Sequence, residues 1–211
     1  MPALRDVPTS HSATPASILT RQARRRLGLD PGGFVVLHCG RMAPRGGVDT
    51  IILGVALLRR RHGVRATLLV VSDPSGAQHD PGNGAGLERA RLRQLARELG
   101  IEHRVHFIVP EHDGALRDCR AAADVLVSMP WGERPGDAGR EAAAWTRSII
   151  AAAGNCAGVG DGSNTCLVAP RDAEALAHQL ARLQRCPDGR PERRPDHTGA
   201  MDAAGQARVP A

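Results

Sequence analysis

The stretch FVVLHCGRMAPRGGVDTIILGVALL, residues 34–58, sets two periods side by side. Phe34 to Cys39 is a short, almost wholly apolar run ending at Gly40, as expected of a strand buried on both faces. Val48, Ile51, Ile52, Val55 and Leu58 then recur at helical spacing, and Gly63 stands where that helix should stop. Strand, glycine turn and amphipathic helix form the first half of a βα unit.

Working outward, the alternation repeats. Thr67 to Val71, Val105 to Val109, Val125 to Met129, Ile149–Ile150 and Cys166 to Val168 read as further strands. Between them, Leu87, Leu92, Leu95 and Leu99 mark a helix stopped by Gly100. Residues 113–122 form a short helix and residues 137–145 a weak one. Leu176, Leu180 and Leu183 belong to a last helix with Asp172 as its N-cap. The expected fold is α/β: a doubly wound, mostly parallel, six-stranded Rossmann-like sheet with helices on both faces. Residues 1–20 lack periodicity and are rich in Pro, Ser, Thr and Ala, which predicts disorder there. Residues 21–186 hold the domain, and residues 187–211, rich in Pro, Arg and Gly, read as a loose tail.

Composition narrows the function classes. The 211 residues are 42% hydrophobic but only 2% aromatic, with no Tyr, so the core must be aliphatic. The formal net charge is +6, and with no Lys in the chain all 28 basic side chains are Arg. Such a surplus favours anionic ligands, nucleotides included. A nucleic-acid binder is disfavoured, because no helix interleaves aromatics or shows a base-reading pattern. Five widely spaced Cys, with no Cys-x-x-Cys, suggest neither a zinc ribbon nor a disulfide framework. The absence of an apolar leader, and of any apolar run of about 18 residues, leads to the expectation of a cytoplasmic protein without a membrane span.

Two places can carry chemistry. Gly40-Arg41 follows the first strand and precedes a helix, where backbone, guanidinium and helix start could meet a phosphate. Glu133 and Glu141 follow the fourth strand, at the rim where open α/β sheets hold ligands, and could accept hydrogen bonds from sugar or ribose hydroxyls. Other polar features carry less. Glu111-His112-Asp113 are adjacent and would not all face one metal. His38 and His106 sit within apolar strands and are expected to be packed or hydrogen-bonded. Arg24-Arg25-Arg26 and Arg59-Arg60-Arg61 read as solvated helix ends. Trp131 could stack on a base or sugar, or plug the core. Ser128 lacks a nucleophile elbow.

Ordered blocks then resemble the donor domain of family 4 (group 1) glycosyltransferases. Residues 34–58 are similar to its V-G-R-L-x-P-x-K-G-x-D opening. RLRQLARELGIEHRVHF resembles its later helix–strand unit, and CRAAADVLVSMPWGERPG its A-D-V-x-V-x-P-S-x-x-E-x-F-G segment. Glu133 and Glu141 stand at the two ends of its E-x7-E motif. DGSNTCLVAPRDAEALAHQL resembles its D-G-x-T-G-x-L-V-x-P-x-D-x-E-A-L-A segment.

The resemblance implies one half of a GT-B enzyme, a retaining glycosyltransferase that takes a sugar from a nucleotide diphosphate sugar. It implies that Gly40 and Arg41 meet the donor diphosphate and that Arg41 stabilises the leaving group. Glu133, with the backbone around Gly136 and Asp137, would hold and orient the sugar, and Glu141 the ribose. It implies no metal and no other cofactor. Departures bear on activity: Gly46 replaces the second cation of the diphosphate clamp, Pro135 an aromatic, and Thr146, Ser148 and Thr165 a Gly, a Pro and a Gly. Only about twenty residues precede the domain, which leads to the expectation that an acceptor domain is absent. Two readings follow: a donor-binding half inactive until a separate chain supplies the acceptor domain, or a truncated, non-catalytic relic that binds nucleotides or a partner.

Overall fold

A computed structural model of the chain describes residues 15–40, 42–72, 84–110, 112–130, 148–153 and 165–186. In chain order the elements are α1 (Pro15–Arg26), β1 (Phe34–Gly40), α2 (Val48–His62), β2 (Ala66–Ser72), α3 (Gly84–Glu98), a 3-10 turn (Glu102–Arg104) and β3 (Val105–Ile108). There follow α4 (Asp113–Ala122), β4 (Val125–Ser128), β5 (Ser148–Ala152), β6 (Thr165–Val168) and α5 (Ala173–Arg185). The expected weak helix over 137–145 lies outside the described residues.

The six strands lie in the order β3-β2-β1-β4-β5-β6, and every pairing is parallel. A parallel sheet covered by crossover helices buries both faces, and β1 shows it: Val35, Val36 and Leu37 are all buried. Val36, Val70 and Val127 join Val48, Ile51, Ile52 and Val55 of α2, together with Leu176 and Leu180 of α5. On the opposite face Val35, Leu37, Leu69, Leu126 and Ile149 pack with Cys119 of α4. Both clusters are aliphatic, as the composition requires.

Helix ends follow local chemistry. Gly63 ends α2 in the left-handed conformation, its N–H bonded to the Arg59 carbonyl. Asp172 caps α5, its carboxylate accepting from the Ala175 N–H at 2.8 Å. Gly54 lets α2 and α5 approach closely, since a Cβ there would lie 2.8 Å from Leu176 Cδ2.

Three expectations need correction. α1 begins at Pro15, inside the stretch read as disordered. Arg24 is not a solvated helix end: it is 6% exposed and donates to the Ala122 and Pro31 carbonyls and to Asp124 Oδ2 at 2.8, 2.9 and 2.7 Å. The same Asp124 oxygen accepts the Val35 N–H, so one ion pair joins α1, β1 and the start of β4. His106 is exposed: β3 is an edge strand, and among the described residues no strand lies beyond it.

Candidate functional site

Strands β2 and β3 extend from one side of β1, and β4, β5 and β6 from the other. The order reverses between β1 and β4, and the carboxyl ends of these two strands define the crevice where doubly wound sheets bind ligands. The β1–β2 ladder runs from Phe34↔Ala66 to Gly40↔Ser72, whereas the β1–β4 ladder holds only at Val36↔Val125 and Leu37↔Leu126. Past Leu37 the two strands are joined instead by a side chain, His38 Nδ1 lying 3.0 Å from the Val127 carbonyl oxygen.

The chain leaves β1 at Gly40. A turn closes with the Gly46 N–H donating to the Ala43 carbonyl at 2.8 Å, and Gly47 then starts α2. Gly47 has φ 76°, and a Cβ on it would collide with the Met129 carbonyl oxygen just beyond β4. Only glycine meets both demands, and it brings the start of α2 against the end of β4. The N-cap residue itself offers no side chain, while Asp49 Oδ1 accepts the Thr50 N–H at 2.8 Å. A helix start carries roughly half a positive charge and favours anions. Asp49 in the first turn would oppose an anion, but Arg91 of α3 lies 3.4 Å from its Oδ2. Arg91 is in turn gripped by both oxygens of buried Glu88, at 2.9 and 2.7 Å. The hydrogen bonds that Arg91 donates to Glu88 are the main cause that keeps the guanidinium firmly protonated.

Of the residues expected to form the site, the structure places Gly40 on this rim. Arg41, Glu133, Gly136, Asp137 and Glu141 lie outside the described residues. Trp131 and Glu111 lie there too, while Ser128 ends β4. His112 starts α4, and no cluster of three or more potential metal ligands occurs among the described residues. Among those residues no helix is long and apolar enough to cross a membrane. A cavity of about 370 Å³ opens elsewhere, at the β3 edge, lined by Leu27, Leu29, Leu69, His106 and Ile108, with Arg93 at its margin. It shares no residue with the β1–β4 rim. Residue reasoning had not singled out Gly47; its left-handed backbone and its contact with a strand eighty residues away leave no local signature.

Strand order, crossover helices and the crevice at the reversal define a Rossmann-like, doubly wound domain. The family model for glycosyl transferases group 1 matches residues 33–185, and the chain belongs to this family. It is 36% identical over 182 residues to a D-inositol 3-phosphate glycosyltransferase of Salinispora tropica, covering 83% of this chain and 36% of the relative. It is likewise 36% identical over 172 residues to the enzyme of that name from Frankia alni, covering 80% of this chain and 41% of the relative. The chain thus spans well under half the length of these relatives. Among solved structures, sucrose-phosphate synthase from Thermosynechococcus elongatus superposes with a TM-score of 0.66 at 31% identity, over 80% of this chain and 40% of that one. The C-terminal domain of a group 1 glycosyl transferase from Francisella tularensis superposes with a TM-score of 0.62 at 20% identity, over 81% of this chain and 85% of that one. The latter is a likeness of fold, and its extent matches a single domain of the two that make up the GT-B architecture.

Proposed function

We propose that this chain is the donor-binding half of a retaining glycosyltransferase and holds a nucleotide diphosphate sugar at the β1–β4 rim. The observation that carries the reading is the start of α2, whose N-cap Gly47 offers no side chain and holds it against the end of β4, and which the chain reaches directly from Gly40. A diphosphate there would meet the helix N-terminus, with Arg41 as its charged partner. These donors would act most strongly as the diphosphate leaves and its charge grows, which is the differential stabilisation catalysis requires. Glu133, with the backbone of Gly136 and Asp137, would orient the sugar, and Glu141 would take the ribose hydroxyls. The acceptor would bind a second domain, on a separate chain or outside this sequence.

A specific departure favours a second reading, a non-catalytic relic serving as a nucleotide-binding or interaction module. Gly46, where the family carries a cation, closes the Ala43–Gly46 turn and has no side chain to offer a phosphate.

Calorimetry with UDP, ADP and GDP against the matching nucleosides tests both. The donor reading expects the diphosphate to bind more tightly than the nucleoside. Arg41→Ala should lose one to two decades for the diphosphate, since a charge-assisted bond is worth about 1.5–3 kcal/mol. Glu141→Ala should weaken nucleoside and diphosphate alike. Gly46→Lys should gain affinity for the diphosphate alone. Equal affinity of wild type for nucleoside and diphosphate would remove the phosphate site, and no binding at millimolar ligand would leave the relic acting through a partner.

A further inference from the structure

On the β1 face that α2 covers, one polar side chain stands among the aliphatic ones. His38 is 4% exposed. Its Nδ1 lies 3.0 Å from the Val127 carbonyl, and a carbonyl only accepts, so Nδ1 carries the proton and Nε2 of the neutral ring presents a lone pair. Nε2 is buried and has no hydrogen-bond partner among the described residues. A buried acceptor left unmatched destabilises the fold, a cost that an aliphatic residue at this position would not incur.

The ring is aimed along the strand at the rim. A Cβ on Gly40 would lie 3.3 Å from Nε2 and 3.5 Å from Cε1, so the imidazole edge points toward the carboxyl end of β1 and the bare glycine leaves it room. Few charges surround it. The flanking strands offer Val70 opposite on β2 and Val127 on β4. Among the described residues at this end of α2 and in the loop before it the ionisable groups are Arg45 and Asp49, Asp49 being engaged by Arg91, itself held by Glu88; the same loop carries Arg41, outside the described residues. Burial lowers the His38 pKa, with the Val127 bond opposing, so the free ring is neutral near pH 7.

We propose that His38 is a proton-linked member of the phosphate site: when a phosphate group occupies the start of α2, the imidazole takes a proton from solvent onto Nε2 and donates it toward the phosphate oxygens, directly or through one water, while Nδ1–H stays on Val127. This rests on the reading of the rim as the diphosphate site. The anion supplies the negative charge that makes a buried imidazolium affordable, and the imidazolium satisfies the orphaned nitrogen. The chain thereby gains, only in the bound state, a cation near the position where Gly46 has none.

The test is calorimetric binding of UDP to the full chain between pH 6.5 and 8.5, in buffers of different ionisation enthalpy, with wild type and His38→Asn compared. Asn can keep an amide N–H on the Val127 carbonyl and lacks any group at the Nε2 position, and ionisation of UDP itself cancels in the comparison. Wild type should take up as much as one proton more than the variant. Its affinity should fall relative to the variant, by up to tenfold per pH unit, as pH rises through the window. Uridine should show no difference. The His38 ¹⁵Nε2 resonance of wild type, should the variant not fold, must move to the protonated range on addition of UDP. Binding with equal proton uptake in both proteins, or an unmoved resonance with UDP bound, overturns the role of His38 and leaves the donor site standing. No binding of UDP, ADP or GDP to wild type overturns the donor site and this role with it.

Discussion

At Gly47 and His38 a single atom decides what is allowed. Gly47 joins a positive φ to a backbone contact, and Gly47→Ala should cost at least about 3 kcal/mol, since strain and overpacking each contribute on the order of 1–3 kcal/mol. Urea unfolding would show it as a lowered midpoint at unchanged slope. His38 links stability to acidity. Its folded pKa is lowered from an unfolded value of 6.5, so between these two values the unfolded chain binds a proton that the native chain does not. Its contribution is complete above pH 6.5 and is lost as pH falls through that value toward the folded pKa. His106 shifts in the same direction, and loss of solvation around its ring is again the cause. Replacing His38 with Asn should therefore flatten the fall in midpoint between pH 6.5 and 5. The thiols differ in the same way. Burial raises the Cys119 pKa, whereas Cys186 is exposed at the end of α5. A maleimide applied to the native protein and read by mass spectrometry should label Cys186 and spare Cys119.

Among the elements, α1 is tied to β1 and to the start of β4 through Arg24. Arg24→Ala would take the guanidinium from partly buried Asp124 and a donor from the Ala122 and Pro31 carbonyls, at about 1.5–3 kcal/mol for hydrogen bonds that involve a charged group. Thermal unfolding should drop accordingly, and Arg24→Lys should recover little, because an ammonium cannot span three separated acceptors in a planar fork. The same residue shows where local reading ends. β1, α2, the stop at Gly63 and the cap at Asp172 were legible because each is written within a few neighbouring residues. Arg24 meets Asp124 one hundred residues away, and nothing in its own run of arginines distinguishes it from Arg25. His106 failed for a related reason: an apolar strand reads alike whether it lies in the middle of a sheet or at its edge. The site was legible to the extent of Gly40 on the rim. Arg41, Glu133, Gly136, Asp137 and Glu141 owe their expected roles to a resemblance of motifs, and their substitutions test those roles.

For the whole molecule, charge and fold combine at the rim. With a net charge of +6 and a helix start as the anchor, diphosphate affinity should fall steadily as sodium chloride is raised from 50 to 500 mM, because the Debye length shrinks several-fold over that range. Nucleoside affinity should barely move. A flat diphosphate response would place the ligand away from the charged rim.

The two core clusters contain no Trp, and the chain has no Tyr and just two Trp, Trp131 and Trp145. Excited at 295 nm, the protein is therefore dark everywhere except at those two indoles, which bracket Glu133 and Glu141 in the sequence. Intrinsic emission becomes a label-free reporter of the segment between them, untouched by any signal from the core, and nucleotide can be titrated against it without introducing a dye.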